Sequence, residues 1–291
     1  MRKAAWIAGC LALMLVSFNA WAVGNKDVDC NRDHNHFDDD LETYMTQEQF
    51  TVPMGSGVMQ VAAAHNGGVK LIGGDSNNYE VTVCKYAGAN SQSEADQILK
   101  QITSEPTANS ISVRGPEADR WTAFLIIRVP AGANMSVSSY NGPLSARSVS
   151  GTFDFKAQNG PISVKQISGK VSARAQNGPI SFEGDTGSYD LETQNGPISI
   201  DLASLSWQDG KLDAHATNGP ISLRLPMGYQ SGVVVTSDGH APMSCSAEVC
   251  KQARKTWEGD EKRIEFGPEN AVIHISTHNG PVSVGTREAS M

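Results

Sequence analysis

The short motif Asn-Gly-Pro recurs along the chain in a nearly fixed context. AQNGPIS occupies residues 157–163 and 175–181, TQNGPIS residues 193–199, and ATNGPIS residues 216–222. SYNGPLS at 139–145 and THNGPVS at 277–283 are related forms. The first four motif asparagines are 18 residues apart, and gaps of 23 and 61 follow; the six are Asn141, Asn159, Asn177, Asn195, Asn218 and Asn279. A fixed period of this kind is typical of a repeat architecture and therefore constrains the fold.

Apolar and polar residues alternate on both sides of each motif. Around Asn177 the apolar positions are Val171, Ala173, Ile180 and Phe182, and the residues between them are polar or charged. Alternation with a period of two indicates half-buried strands, one before and one after NGP. We therefore predict an all-β fold, a parallel β-solenoid of about 18-residue coils stacked at the strand spacing of roughly 4.8 Å.

Irregular segments interrupt this array. The 23-residue gap is interpreted as one coil with a bulge around ASLSW, and the 61-residue gap as a coil preceded by an insertion at 241–270. A degenerate early coil is predicted at AAAHNGGVKLIGG, with Asn66 in the asparagine column. One short helix is predicted over 93–104, within SQSEADQILKQI, where Ser91 and Glu94 form a capping box. The helix and the insertion are candidates to cap the ends, because an open strand edge recruits further strands.

The N-terminus reads as an export signal. MRK is basic, AAWIAGCLALMLVSF is apolar, and NAWA ends in a small-x-small cleavage pattern, so residues 1–22 are predicted as a signal peptide cleaved after Ala22. IAGC at residues 7–10 also matches a lipoprotein box, but the apolar run continues beyond it. The remaining segments are then an acidic polar leader at 23–49, the β-solenoid domain at 50–285 and a tail at 286–291.

The net charge limits the classes of partner that the chain can bind, and the cysteine content indicates its cellular compartment. Loss of Arg2 and Lys3 with the signal lowers the formal charge from −8 to −10, which disfavours nucleic acid as a partner. No later segment is long and apolar enough to predict a transmembrane helix. The four remaining cysteines suit two disulfides in an exported protein, periplasmic, envelope-bound or secreted. Three pairings are possible, and proximity favours Cys245 with Cys250, which leaves Cys30 with Cys84.

The repeated corner itself favours a structural interpretation. Asn-Gly is a strong turn pair because both residues tolerate positive φ, and proline fixes the next φ. The strand parity predicts that the motif asparagines point inward and form a hydrogen-bonded ladder from coil to coil. One outward column is uniformly serine, and an adjacent column is rich in glutamine. These two columns form a flat polar strip that suits a glycan or another protein. The alternative is that small polar residues simply suit a solvent-facing strand near a turn.

Two groups of residues are candidate metal ligands. If the insertion loops out, His274 lies over Asp213, with His215 and His278 on the same face, where imidazole and carboxylate are suitable ligands. The alternative is a solvated mixed face. The leader DVDCNRDHNHFDDD resembles the start of a calcium loop, or a transition-metal site, but lacks the required glycine and glutamate; its candidates are Asp27, Asp29, Asp33, His34 and His36. A polar leader tied down by Cys30 is the alternative there.

Catalytic signatures are missing from the sequence. It contains no G-x-S-x-G, H-E-x-x-H, phosphate loop or C-x-x-C. Asp154, Asp190 and Asp213 share an outward column, as carboxylates do in some pectin-cleaving β-helices, but no aromatic or basic cleft accompanies them. No catalytic residue and no cofactor is predicted.

The layout resembles the DUF4097 family, whose members are called adhesins by inference. The resemblance rests on AAAHNGGVKLIGG, YEVTVCK, SEADQILKQI, RWTAFLIIRVPAGANMSVSSYNG, the NGPIS units and RIEFGPENAVIHISTHNGPVSV, over about 50–285. It implies a β-solenoid without an established enzymatic activity. The sequence therefore predicts a non-enzymatic, exported structural or interaction protein of the envelope. A periplasmic accessory protein that binds a polysaccharide, small ligand or metal is the alternative, and a carbohydrate-active enzyme is third.

Overall fold

The structure is a computed structural model. It describes residue 30, residue 37 and residues 40–64, 66–117, 119–238, 241–268 and 270–287. The predicted signal peptide, its cleavage site after Ala22 and most of the leader lie outside these residues. Within the described ranges, no helix has the length and apolar character needed to span a membrane.

Strands dominate the described part of the chain, which also contains one α-helix and a short 3-10 helix at Glu248–Lys251. The first elements are β1 (Glu42–Pro53), β2 (Met59–Ala62), β3 (Val69–Gly73), β4 (Asn78–Ala89), α1 (Gln92–Gln101), β5 (Thr103–Pro106), β6 (Ser110–Arg114) and β7 (Trp121–Val129). The repeats hold β8 (Ala133–Ser139), β9 (Leu144–Arg147), β10 (Ser150–Ala157), β11 (Ile162–Lys165), β12 (Ser168–Ala175), β13 (Ile180–Gly184), β14 (Ser188–Thr193), β15 (Ile198–Leu202), β16 (Leu212–Ala216) and β17 (Ile221–Leu225). The last are β18 (Val233–Ser237), β19 (Met243–Cys245), β20 (Arg254–Glu258), β21 (Glu261–Phe266), β22 (Ile273–Thr277) and β23 (Val282–Thr286).

These strands form two long sheets. Sheet A has the order β1-β4-β7-β3-β9-β11-β13-β15-β17-β23-β19, and sheet B the order β20-β21-β18-β22-β16-β14-β12-β10-β8-β2-β6-β5. In the repeats, the strand before each NGP lies in sheet B and the strand after it in sheet A, and neighbouring repeats pair in parallel. Residues at the same position of successive repeats lie opposite each other, so Val171 pairs with Phe153 of the preceding repeat and with Tyr189 of the following one. The predicted all-β class with parallel strands is thus confirmed, and the arrangement is consistent with a β-solenoid.

The NGP corner needs glycine because the stacked backbones pass very close to one another. A Cβ atom at Gly178 would overlap with the backbone oxygen of Gly160, and a Cβ at Gly160 would overlap with that of Gly142. None of the NGP glycines has a positive φ. The prediction that this turn uses positive φ is therefore wrong: close approach of the repeats, rather than a left-handed backbone, selects glycine here.

Positive φ occurs instead at the opposite corner, where the chain returns from sheet A to sheet B. Gly151, Gly169 and Gly187 have φ values of 140°, 114° and 108°. These φ values lie in a region of backbone conformation that residues other than glycine rarely adopt. Close approach also applies here, since a Cβ at Gly169 would overlap with the backbone oxygen of Gly151. Both corners therefore need glycine for close stacking, and this second corner needs it for positive φ as well.

The core lies between the sheets and is built from the apolar columns of the repeats. Phe153, Phe155 and Phe182 are almost fully buried there. The predicted bulge at ASLSW folds Trp207 into this core, with its ring 5.8 Å from Tyr189 and 6.1 Å from Phe182. The indole Nε1 donates a hydrogen bond to the Gly187 carbonyl at 3.2 Å. The extra residues therefore add an aromatic plug without shifting the register of the next repeat.

The N-terminal end is closed by antiparallel strands and the helix. β4 pairs with β7, and β1 pairs with β4 from Glu42 onward, so sheet A includes the last part of the segment assigned to the leader at 23–49. This boundary was misplaced because β1 is a largely exposed edge strand without a clean apolar alternation. Helix α1 begins after the cap Ser91 and buries Ala95 and Leu99 in the core, as predicted. It ends at Gln101 rather than at residue 104, because the chain becomes extended at Ile102 and Thr103 begins β5, which pairs with β6.

A second, smaller cluster covers the outer face of sheet A at this end. Ile72, Tyr86 and Ile126 are buried there against Phe37 of the leader. A disulfide joins Cys30 to Cys84 on β4 and ties the leader to this face. The leader is thus packed on the sheet at the residues that the structure describes.

The insertion closes the C-terminal end. β18 pairs in parallel with β22, β21 and β20 extend sheet B in antiparallel fashion, and β19 pairs with β23. Because β18 already belongs to this cap, the inserted segment begins before residue 241. A disulfide between Cys245 and Cys250 closes the turn after β19. Both ends of the described sheets finish in short or antiparallel strands, which limits edge-to-edge pairing.

We expect Gly178→Ala to lower the free energy of unfolding by about 1–3 kcal/mol, because its Cβ overlaps with the backbone of the neighbouring repeat. The matched control is Gly285→Ala in β23, where the nearest atom to an added Cβ is 3.8 Å away. That control should change stability by less than about 0.5 kcal/mol. Urea unfolding of both variants measures the difference, and equal effects would contradict the stacking argument.

Candidate functional site: the NGP ridge

The NGP corners line up into one exposed ridge along the junction of the two sheets. We define the NGP ridge by four outward columns. The residue before asparagine contributes Tyr140, Gln158, Gln176, Gln194, Thr217 and His278. The asparagines are Asn141, Asn159, Asn177, Asn195, Asn218 and Asn279. The prolines are Pro143, Pro161, Pro179, Pro197, Pro220 and Pro281, and the serines are Ser145, Ser163, Ser181, Ser199, Ser222 and Ser283.

The motif asparagines are exposed, so the prediction that they point inward is wrong. The alternation of inward and outward side chains along the strand ends two positions before asparagine. The residue there, such as Ala175 or Thr193, is still buried. The chain then bends, and both Gln176 and Asn177 face solvent while Gly178 turns inward. Side chains alternate between the two faces only where the backbone is extended, so the alternation of the strand does not apply to the residues of the NGP turn.

The asparagine side chains nevertheless form a continuous ladder. Each Nδ2 donates to the Oδ1 of the asparagine in the preceding repeat, at 2.8 Å from Asn159 to Asn141 and from Asn177 to Asn159. The bonds from Asn195, Asn218 and Asn279 measure 3.0, 3.1 and 3.0 Å. At the start, Asn141 donates to Asn66 at 2.7 Å, which places the degenerate early coil in the same column as predicted.

Backbone hydrogen bonds hold the ridge from repeat to repeat. The N–H of Asn177 donates to the carbonyl of Gln158 at 2.8 Å. The N–H of Ile162 donates to the carbonyl of Pro179 at 2.9 Å. Proline suits the position after Asn-Gly in each motif, because it has no backbone N–H that would need a hydrogen-bond partner at the corner. The ridge is therefore a rigid surface with polar groups repeated at the strand spacing.

Proline and serine side chains form a shallow groove at the C-terminal end of the ridge. Its volume is about 320 Å³, and its lining includes Pro220, Ser222, Pro281 and Ser283. Pro242 and Ser244 from the insertion continue both columns, because β19 lies in register with β23. Sequence reasoning missed this additional row. Its signal is APMSC at 241–245, which matches the x-P-apolar-S-apolar part of GPVSV.

The ridge carries no acidic or basic side chain in its four columns apart from His278. Charges begin in the next outward column of sheet A, where Lys165 pairs with Glu183 at 3.6 Å and Arg224 pairs with Asp201. On the outer face of sheet B, Arg174 lies 2.6 Å from Asp190 and 3.2 Å from Glu192. A neutral ridge thus runs between two faces whose charges are paired.

The histidine candidates on sheet B have separate partners. His274 Nδ1 lies 3.0 Å from Asp213 Oδ1, as the predicted register requires, but His215 Nδ1 lies 2.8 Å from Ser276 Oγ. His278 Nδ1 lies 3.1 Å from Asp238. Among the residues that the structure describes, no three His, Cys, Asp or Glu side chains form a group suited to a metal ion. The geometry therefore does not gather His215 and His274 into one ligand set.

The leader candidates for a metal site, Asp27, Asp29, Asp33, His34 and His36, lie outside the described residues. The outward carboxylate column can be placed: Asp154 pairs with Lys156 at 2.7 Å and Asp213 pairs with Lys211 at 2.6 Å. Each carboxylate in that column has a basic neighbour on the open outer face of sheet B. The carboxylates of this column therefore form ion pairs on an exposed sheet face and do not line a cleft.

We expect Asn177→Ala to lower the free energy of unfolding by about 1–2 kcal/mol, because it removes two ladder hydrogen bonds. Gln176→Ala is the matched control, since it shortens the adjacent exposed amide and leaves the ladder intact. Chemical unfolding of both variants gives the comparison. If Asn177→Ala is as stable as the control, the ladder does not stabilise the stack.

The pKa of Asp213 gives a pH-dependent prediction. Burial raises this pKa, but hydrogen bonds from Lys211 and His274 outweigh burial and hold it below the ordinary value of 3.8. A depressed folded pKa contributes stability above the unfolded pKa, and this contribution is lost as pH falls through the folded value. Wild type should therefore lose more stability than Asp213→Asn between about pH 5 and about pH 2, by less than about 1 kcal/mol at this partly exposed site.

Thermal melts across that pH range measure the difference, with Asp209→Asn as the control for loss of an exposed carboxylate. Parallel pH curves for wild type and Asp213→Asn would contradict the assignment.

Comparison with known proteins finds no matching family model and no matching curated protein. Solved structures do match. A "putative cell adhesion protein" from Clostridium sporogenes is 11% identical, covers 84% of this chain and 100% of its own, and gives a TM-score of 0.31. A "putative adhesin" from Bacteroides fragilis is 11% identical over 84% of this chain and 97% of its own, with a TM-score of 0.40.

A "putative lipid binding protein" from Parabacteroides distasonis is 7% identical over 84% of this chain and 97% of its own, with a TM-score of 0.33. At identities and TM-scores this low, these likenesses carry no argument about function. Membership of the DUF4097 family stays a prediction from the residues.

Proposed function

We propose that the protein is an exported, non-enzymatic β-solenoid whose NGP ridge binds an uncharged, repetitive partner, a neutral polysaccharide of the cell envelope or of a surface that the cell meets. The observation that carries this proposal is the ridge itself. Its asparagine and proline columns are exposed, its serine column is half-buried to exposed, and all three stay in register from repeat to repeat. Such a surface suits adhesion, because a partner with its own short repeat can contact many equivalent positions at once.

The chemistry of the ridge favours a neutral partner. Hydroxyl and carboxamide groups donate and accept hydrogen bonds without charge, and proline rings add flat apolar contacts between them. A polyanion or polycation would gain little Coulomb energy there, since the nearest charges on sheet A are already paired. Sugar hydroxyls are therefore the better match for this surface.

Rigidity supports binding by a surface with many weak contacts. The ridge is held by the asparagine ladder, by backbone bonds between repeats and by close glycine stacking. Binding then orders few protein groups, which reduces the entropy that the interaction must overcome. The groove between the proline and serine columns, at Pro197, Pro220 and Ser222, is where we place the strongest contacts.

Export and the lack of enzymatic activity complete the proposal. Two disulfides, Cys30 with Cys84 and Cys245 with Cys250, suit an oxidising compartment such as the periplasm or the cell exterior. The outward carboxylates of sheet B are engaged by Lys156, Arg174 and Lys211, which supports a charged solvent face over a hydrolytic centre.

Co-sedimentation of the mature chain with insoluble polysaccharides tests the proposal. The chain should bind an uncharged particle, cellulose or starch, with little dependence on salt, and should bind particulate pectate less. The double variant Ser199→Glu with Ser222→Glu places charge and bulk in the groove. We expect it to lose affinity about tenfold or more, because a carboxylate is costly to desolvate at a neutral contact.

The matched control is the double variant Ser138→Glu with Thr152→Glu, which makes the same kind of change at exposed positions of sheet B. Its affinity should equal that of wild type. The proposal fails if no uncharged polysaccharide is bound, or if the control loses as much affinity as the groove variant.

A further inference from the structure

The repeated corner carries a chemical hazard, because every NGP motif is an Asn-Gly pair. The backbone nitrogen of the residue after asparagine can attack the side-chain carbon Cγ, and glycine has no side chain to hinder the approach. The new N–Cγ bond closes a succinimide ring, and Nδ2 takes up a proton and leaves as ammonia. Water then opens the ring to aspartate or isoaspartate. No reactant other than water is needed.

We propose that the asparagine ladder suppresses this deamidation at its internal rungs, and that the end rungs Asn66 and Asn279 are the modification sites of the folded chain. The ladder then has a role separate from partner binding, since it preserves the chemical identity of an exported repeat surface. This inference does not depend on what the ridge binds.

The geometry of an internal rung opposes ring closure in two ways. Asn177 donates to Asn159 at 2.8 Å and accepts from Asn195 at 3.0 Å, so turning Cγ toward the next nitrogen breaks both bonds. The backbone is held as well. The N–H of Asn177 donates to the Gln158 carbonyl at 2.8 Å, and Gly178 is packed directly against the backbone of Gly160.

The end rungs share the backbone constraint, since the N–H of Asn279 donates to the Thr217 carbonyl at 2.8 Å, that of Gly67 donates to Ala64 at 2.7 Å, and Gly280 is packed against Gly219. They differ from the internal rungs in the ladder bonds. Asn66 accepts from Asn141 at 2.7 Å, and among the described residues no side chain accepts a hydrogen bond from its own Nδ2. Asn279 donates to Asn218 at 3.0 Å, and no side chain among the described residues donates to its Oδ1. Each end rung therefore holds its carboxamide by one ladder bond where an internal rung uses two.

Modification of an internal rung would damage the ladder itself. An aspartate at position 177 could still accept from Asn195 but could not donate to Asn159. Its carboxylate would then face the Oδ1 of Asn159 with two acceptors in contact, which is unfavourable. Protection of the internal rungs thus also protects the register between repeats.

The experiment is timed incubation of the folded mature chain at mildly alkaline pH, followed by peptide mapping that detects the replacement of NH₂ by OH and the isoaspartate product. We expect Asn159, Asn177 and Asn195 to deamidate at least about tenfold more slowly than in the urea-unfolded chain. Asn66 and Asn279 should react faster than these internal rungs.

Two variants separate the ladder from general burial. Asn177→Ala should accelerate deamidation at both Asn159 and Asn195, because each loses one ladder bond, and should leave Asn279 unchanged. Asn177→Asp keeps an acceptor for Asn195 and removes only the donor to Asn159, so acceleration is expected at Asn159 alone. Gln176→Ala, beside the ladder, should change no rate.

The inference is overturned if internal and end rungs of the folded chain react at equal rates. It is also overturned if Asn159 keeps its wild-type rate in Asn177→Asp while circular dichroism shows a folded chain. Should Asn177→Ala not fold, Asn177→Asp and the comparison of rungs within wild type still decide the question.

Discussion

Close stacking of backbone on backbone at the NGP corner is the constraint on which the remaining structure depends. At this corner the repeats approach so closely that only glycine fits, as the overlap of an added Cβ at Gly178 with Gly160 demonstrates. That approach sets every other column in register. It brings the asparagine carboxamides to hydrogen-bond distances of 2.7 to 3.1 Å and aligns the carbonyl of Pro179 with the N–H of Ile162. Core, ladder and ridge all follow from the same spacing.

Each repeat has three outward surfaces, the outer faces of sheets A and B and the NGP ridge. They differ in the partners that their polar side chains have. The sheet faces use paired charges, such as Arg174 with Asp190, whose net contribution at the surface is small. The ridge uses neutral groups that pair along the stack. This division leaves one continuous uncharged surface on an acidic protein. It is the physical basis for the proposal that the ridge is the binding surface.

Much of this arrangement could be predicted from the sequence, because the apolar columns repeat with a period of two inside a period of 18. That pattern predicts the strands, the register that places His274 over Asp213 and the ladder itself. The helix capped by Ser91 follows instead from its own capping box and apolar face. The direction of the asparagines could not be extrapolated, because strand parity ends where the chain bends. Strand β1 was also hidden, since it is largely exposed and only Val52 in it is fully buried.

The candidate site was predicted in part. The serine column and the glutamine-rich column were recognised as outward, whereas the asparagine and proline columns became part of the surface only in three dimensions. The row formed by Pro242 and Ser244 is separated from β23 by a long stretch of sequence and lacks the Asn-Gly that marks the other corners. Its partial match to the repeat is too short to stand out without the register of the folded sheet.

The row supplied by β19 continues the proline and serine columns of the repeats, although it lacks their asparagine and glycine. The cap therefore pairs with the last repeat through columns that every NGP repeat contains. Gain or loss of a whole 18-residue unit would then change the length of the molecule in discrete steps of one strand spacing, roughly 4.8 Å. Such a change would leave the proline and serine columns of the remaining repeats, and the strand that caps them, in the same register.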